Sequence, residues 1–522
     1  MNENLQKNSK WAKGGAAINI DMLLFPLLLV LAMALLIYFF PEGAAGVIGM
    51  LNSILVNQGG VFYIVTGVFM LGCSIYIAAS KWGAIKLGAR EKPAYSNFRW
   101  GAMIFTSTMA ADILYWSLIE WVYYFQADPA GEGGLSLASH ARIASAYPLF
   151  HWGPIPWAFY ILPAAAYAYM FYVKARGRSA LSEACRPILG KKTDGALGRV
   201  IDTVAIVGFI GGTATTFATA TPLIAESINA LFGTALGKSL TVIILLVVGL
   251  VFTTAVLIGM KAIANLAVFN VAAFAILLAA IFFMGPSKFI IESGVSGIGT
   301  MLNNFVSMAT WMDPLRATGE GGGAAGFPQQ WTVFYWAYWI AWFVATPFFI
   351  AKISEGRTIR GMIFGAYFYG IAGTFLSFIV FGNFGLYQQV SGKVDTVGML
   401  DAGSAPAQII VEFFRQLPLV KPVLCLLAIV MIAFYASTFD AITLVISGFC
   451  KKNGLEDHRD TKLRIYWALV LIILPISLIW SESTLSSLQT VSIIAAFPLA
   501  LIMYLIVFSF LKELRGRVGS RG

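Results

Sequence analysis

DMLLFPLLLVLAMALLIYFF, residues 21–40, decides the fold. Its single charge, Asp21, stands at the start, and the rest is apolar. At 1.5 Å per residue such a run covers about 30 Å, the thickness of a bilayer's hydrocarbon. A polar tail of about 20 residues precedes it and no small-residue cleavage site follows, which reads as a spanning helix and not a removable signal. Comparable runs fall near 61–80, 100–125, 147–173, 200–232, 238–259, 263–285, 329–351, 362–386, 420–450, 463–481 and 488–511, making twelve. The 522 residues are 59% hydrophobic and 11% charged, with mean hydropathy +0.79. Soluble chains carry roughly 25% charged residues, so the expectation is an all-α polytopic membrane protein.

An even number of spans puts both tails on one side. Placing residues 1–20, residues 512–522 and every second loop together gathers most of the 35 Lys and Arg there. The positive-inside rule makes that side cytoplasmic, with 21–511 as one twelve-helix domain in the cell membrane. The net charge of +10 is then a collar facing anionic lipid headgroups, not a nucleic-acid patch. The four cysteines and three histidines are scattered, without metal-ligand spacing, and GEGGG (319–323) lacks the Lys and Ser/Thr of a phosphate loop. No resident cofactor and no enzyme chemistry follow from these. A channel would call for a carbonyl filter or ringed pore segments, which one chain does not display; a membrane sensor stays as an alternative of another class. Two segments, 301–320 and 405–420, are short and amphipathic and expected along the outer interface.

Charges inside spans cost a few kcal/mol at the bilayer centre and so mark function. Asp112, Glu120, Glu226 and Asp440 are the candidates, with Glu120 and Glu226 expected near outer helix ends. On a straight helix Asp112, Trp116, Glu120 and Tyr123 share about 80° of arc. Acid plus indole plus phenol suits a cation, each ring face adding about 0.5 to 2 kcal/mol. WTVFYWAYWIAW (331–342) repeats the theme, with Tyr335, Trp339, Trp342 and Thr346 on one face. FHWGPIPWAFY (150–160) sets Trp152, Trp157 and Tyr160 within about 140° of one helix. An interfacial aromatic belt explains that stretch alone equally well; with the other two segments and an acid, a methylammonium cage fits better.

FHWGPIPWAFY and WTVFYWAYWIAW…AKISEGRTIR closely resemble the betaine/carnitine/choline transporter family, over residues of about 20 to 510. The resemblance implies transport of a quaternary ammonium compound by a five-plus-five inverted repeat of the LeuT type, about 100–285 and 329–511, assembled as a homotrimer. Its central site lies between discontinuous first helices of each repeat. It implies an aromatic box of Trp152, Trp157, Tyr160 and Trp339, with Tyr123 lining the site as in carnitine-type members. Tyr338 and Trp342 match residues of the cytoplasmic permeation path.

The family's glycine-rich run reads TMAAD (108–112) here, and the resemblance implies an acid at Asp112 in proton-coupled choline carriers. A fixed negative charge favours a cation without a carboxylate, whereas TATPL (219–223) and HWGPIPW look more like the carnitine branch; the hints disagree on substrate. For coupling, Ser437 and Thr438 match hydroxyls of a sodium site, with Thr106 and Met109 offering carbonyls. Thr213, Thr216 and Thr346 match a second sodium site. In sodium-independent exchangers an Arg replaces the first ion, and here the matching residue is Asn270. Symport driven by sodium or protons is expected, with carnitine/butyrobetaine-type exchange as the alternative.

Overall fold

The computed structural model describes residues 18–519 except 107–109, 128, 130–135, 177, 179, 259, 317–324, 452–459 and 482–483. Helices follow one another from the start: α1 (Asp21–Phe39), α2 (Pro41–Asn52), α3 (Gly60–Ala79), α4 (Asn97–Thr106) and α5 (Ala110–Ala127). Then come α6 (Leu137–His151), α7 (Pro154–Tyr172), α8 (Ala196–Phe232), α9 (Lys238–Ile258), α10 (Met260–Met284) and α11 (Ser287–Asn303). The second half holds α12 (Val333–Ala341), α13 (Thr346–Lys352), α14 (Ile359–Ser377), α15 (Asn383–Val390) and α16 (Pro406–Arg415). It ends with α17 (Val420–Phe449), α18 (Thr461–Trp480) and α19 (Leu485–Gly519). Among the described residues there is no strand; the only β pairing is two isolated bridges. Among the described residues, eight helices are long and apolar enough to cross a membrane, and up to eleven spans result if each of three bent pairs counts once.

Burial sorts these helices. α8, 37 residues long, is largely buried and packs against α17, α18 and α19. α1 is the reverse: Leu24, Phe25, Leu28, Leu35 and Leu36 are exposed. An apolar residue turned outward is stable only where the surroundings are as apolar as itself, which is what a bilayer supplies to peripheral helices. The loop ISEGRTIR is not a free basic strand. Its backbone pairs with the loop after α3, through Leu87 N–Arg357 O (2.8 Å) and Ile359 N–Ile85 O (2.9 Å), and Arg90 meets Glu355 at 2.6 Å.

Several expected spans are not straight helices. The run 100–125 divides into α4 and α5, which meet at 68°. The run 329–351 divides at Ala345, where residues 328–344 and α13 meet at 52°. Proline explains the second break, since Pro347 cannot donate to the turn before it. The run 147–173 is two helices separated by Trp152 and Gly153. α11 turns 108° away from the helix before it, and the amphipathic segment expected at 301–320 holds the end of α11 and a short helix at Phe305–Thr310, with 317–320 outside the described residues. α19 runs on into the tail expected at 512, where Glu513 pairs with Arg176 at 2.7 Å.

Candidate functional site

The first element of the site is a turn made by two prolines. Pro154 and Pro156 lack the N–H that would continue α6, so the chain stops at His151 and restarts as α7. Trp152 occupies the gap, and Thr374 Oγ1 donates to its carbonyl at 3.0 Å, satisfying a backbone group the break has freed. Trp152 is therefore not on one helix with Trp157 and Tyr160, as its spacing suggested.

Tertiary packing brings the three back together around Trp339. The Trp339 ring centroid lies 5.4 Å from Trp152, 5.5 Å from Trp157 and 4.9 Å from Tyr160. All four side chains are 0% exposed, so none faces lipid. The indole pairs are edge-to-face, the favoured quadrupole arrangement. Behind them stands α14. Gly370 makes room, because a Cβ there would fall 2.7 Å from the Trp157 ring. Phe378 packs on Trp152 at 5.1 Å. Gly370, Thr374 and Phe378 are one helical face, spaced by four, and the sequence reading had not singled them out.

α5 meets the aromatic segment residue by residue, in opposite senses. Asp112 accepts from the Tyr338 hydroxyl, Trp116 packs on Phe334 (5.8 Å) and Tyr335 (5.6 Å), and Tyr123 on Trp331 (4.8 Å). Thr216 of α8 donates to the second Asp112 oxygen at 3.1 Å, and its hydroxyl lies 2.7 Å from that of Tyr338. Carboxylate and two hydroxyls form a closed triangle joining α5, α8 and α12. Tyr123 and Trp342 lie apart from the four-ring cluster: Trp342 falls in a 3₁₀ turn and packs on Phe209 at 5.5 Å. That tighter turn also ends the regular stripe, so Thr346 opens the next helix instead of extending the face of Tyr335.

Glu120, expected near an outer helix end, is 0% exposed, accepting from Trp152 Nε1 and from Tyr124 Oη, both at 2.6 Å. Tyr124 Oη also lies 2.7 Å from His151 Nδ1, and His151 Nε2 lies 3.0 Å from Thr332 Oγ1. The other two intramembrane acids are ordinary by comparison: Asp440 pairs with the buried Arg464, and Glu226 lies 3.5 Å from Asn229.

The hydroxyls matched to ion sites are mostly engaged. Thr106 Oγ1 donates to Ala102 O (2.9 Å) and Thr213 Oγ1 to Ile210 O (3.0 Å), each within its own helix. Ser437 Oγ accepts from Asn270 Nδ2 at 2.9 Å, and the same nitrogen reaches Ala433 O at 3.0 Å. Thr438 and Thr346 are buried, and Met109 lies outside the described residues. An amide donor thus sits on Ser437 Oγ, one of the oxygens matched to a hard cation.

Residues 21–518 match the family model described as BCCT, betaine/carnitine/choline family transporter. The chain belongs to the BCCT family. It is similar to a probable glycine betaine transporter of Desulfitobacterium hafniense, 30% identical over 91% of this chain and 94% of that one. A carnitine transporter of Acinetobacter baumannii is 29% identical over 84% and 78% of the two chains. The high-affinity choline transport protein of Escherichia coli is 26% identical over 93% and 71%. As a BCCT protein it is a multi-pass membrane transporter and not an enzyme. His151, Tyr124 and Thr332 are polar residues of this candidate site that sequence reasoning missed. One signal was available: Glu120 and Tyr124 stand four apart on one helix, where side chains meet.

Proposed function

We propose that this chain carries a quaternary ammonium compound such as choline, glycine betaine, carnitine or a related methylamine across the cell membrane by alternating access. The carrying observation is the Trp339-centred cluster: four buried rings, contributed by two broken helical segments, in mutual contact. Ring faces stabilise a permanently positive nitrogen that hydrocarbon alone would exclude. Since Trp339 touches the other three rings, a headgroup enters only after one of those contacts opens. The buried indole N–H groups of Trp157 and Trp339 have no partner among the described residues, and an oxygen on the substrate would supply one. Asp112, next to this cluster through Tyr338, serves as counter-charge.

The wider reading is twelve spans, with α7 as the one beyond the eleven, both termini cytoplasmic, and two inverted repeats. Support for the repeats comes from paired breaks, α4/α5 in one half and 328–344/α13 in the other. Assembly as a homotrimer belongs to the same reading and rests on the family resemblance. For coupling we favour symport with sodium or protons. Exchange of substrate against product is the second reading, and the Asn270 amide on Ser437 favours it, because it occupies one of that site's oxygens with a donor.

The test is uptake into proteoliposomes of labelled choline, glycine betaine and L-carnitine, with sodium and proton gradients imposed separately. Saturable uptake of one compound, accelerated by one gradient, is the expected result. Acceleration only by internal substrate would select exchange, and uptake of none would defeat the transport reading.

A further inference from the structure

Glu120, Tyr124, His151 and Thr332 form a continuous chain of hydrogen-bonding groups, and its far end is not solvent but the Trp152 indole of the ring cluster. We infer that Glu120, loaded through His151 and Tyr124, is a proton-binding site that sets how firmly Trp152 is held. For its effect on substrate this rests on the transport reading above; the proton site itself does not.

The geometry permits two hydrogen patterns on one set of heavy atoms. With Glu120 ionised, Thr332 donates to His151 Nε2, Nδ1–H donates to the Tyr124 oxygen, and Tyr124 O–H donates to Glu120 Oε1. Add one proton at Nε2 and every step reverses. Nε2–H then donates to Thr332, Tyr124 donates to Nδ1, and the new Glu120 O–H donates to Tyr124. A hydronium ion gives up the proton that forms the N–H bond at Nε2 as the Thr332 O–H turns away, Nδ1 passes its proton to the Tyr124 oxygen, and Tyr124 passes its own to Oε1. The balance is a single proton gained by the carboxylate, with His151 neutral before and after. His and Tyr are suited to this because each can donate and accept at once.

Access and isolation are both present. Tyr147 packs on His151 (5.6 Å) and on Tyr124 (5.8 Å), and it also lines a cavity of about 910 Å³ with Ser139, Arg142, Thr300, Asn304 and Trp311. Tyr147 therefore touches both the chain and that cavity. The titratable groups facing it are His151 and Tyr147 from α6, Tyr335 from α12 (stacked on His151 at 4.8 Å), and Tyr124 from α5 itself. Asp112 and Tyr338 lie two turns along, Tyr435 comes from α17, and Asp401 meets Gln126 at the far end of α5. Among the described residues, His151 alone stands at ion-pair distance from Glu120, at 3.5 Å, so no Arg or Lys locks the carboxylate in one state. The consequence falls on Trp152. An N–H on a carboxylate is roughly twice as strong as the same bond to a neutral acceptor, so adding the proton loosens the indole that sits in the turn between α6 and α7.

The experiment is infrared difference spectroscopy of the purified full-length protein during acidification, which reads protonated carboxyl groups directly and needs no substrate. The wild type should show a titrating carboxyl C=O band that Glu120→Gln removes and Asp112→Asn leaves. Tyr124→Phe, which keeps the carboxylate and the ring, should change the proton concentration at which that band appears about tenfold. Absence of any band removed by Glu120→Gln, or an unmoved band in Tyr124→Phe, overturns the assignment. In proteoliposomes, Glu120→Gln should flatten the pH profile of uptake of whichever of choline, glycine betaine or L-carnitine the wild type carries. A wild type that carries none would defeat the transport reading while the infrared result still decides the proton site.

Discussion

Asp112 and Glu120 occupy the same face of α5, both fully buried, and are built into different kinds of polar structure. Asp112 closes a triangle with hydroxyls from two other helices, so each of its members has its partners within reach of one another. Glu120 begins an open chain that ends on a threonine, and it holds an aromatic ring by its other oxygen. A closed triangle ties α5, α8 and α12 together, and relative motion of those helices must break it. An open chain can change hydrogen pattern without any helix moving. The lesson is that a carboxylate's role comes from what the facing helices supply, not from its own position on the stripe.

Four experiments press on that contrast. The largest effect belongs to the ring both regions adjoin. Trp339→Leu should bring saturable uptake to background and cost about 2 to 4 kcal/mol of stability, measured by uptake and by thermal unfolding in detergent. Retained uptake would make the cluster packing only. Next, Asp112→Leu and Glu120→Leu should each destabilise by about 1 to 3 kcal/mol, since each strands two buried donors. Only the Asp112 change should also lower the preference for choline over glycine betaine. A matching loss in the Glu120 variant would erase the distinction. Smaller again, Thr216→Val removes a hydroxyl bonded to two partners and should cost about 1 to 2 kcal/mol. Thr332→Val removes one chain end and should cost about 0.5 to 1.5 kcal/mol by the same measurement. Equal costs would argue against a closed triangle. The smallest effect is a null: in a double-mutant cycle, Asp112→Asn and Glu120→Gln should add within about 0.5 kcal/mol. Coupling beyond that would mean the two regions are one.

Much of this was readable from residue order. Apolar runs gave the membrane class, and the α5 stripe and the two aromatic motifs named the rings that meet. What the order did not carry was the interruption of the helices. A period of 3.6 assumes a straight rod, and it fails at Trp152, where prolines remove donors, and after Ala341, where a 3₁₀ turn rotates Trp342 toward Phe209. It also fails to show vacancies that partners fill. Gly370 is unremarkable in its own helix and matters only because the Trp157 indole lies against it. His151 looked like one of three scattered histidines, yet it is a link between Tyr124 and Thr332.

The three ring contacts of Trp339, at 4.9 to 5.5 Å, have an optical consequence as well as a chemical one. Chromophores so close and rigidly tilted share their excited states, and the shared state rotates polarised light far more than separated rings do. Near-ultraviolet circular dichroism should therefore dim whenever the cluster parts, giving an unlabelled protein its own indicator of whether those rings are in contact.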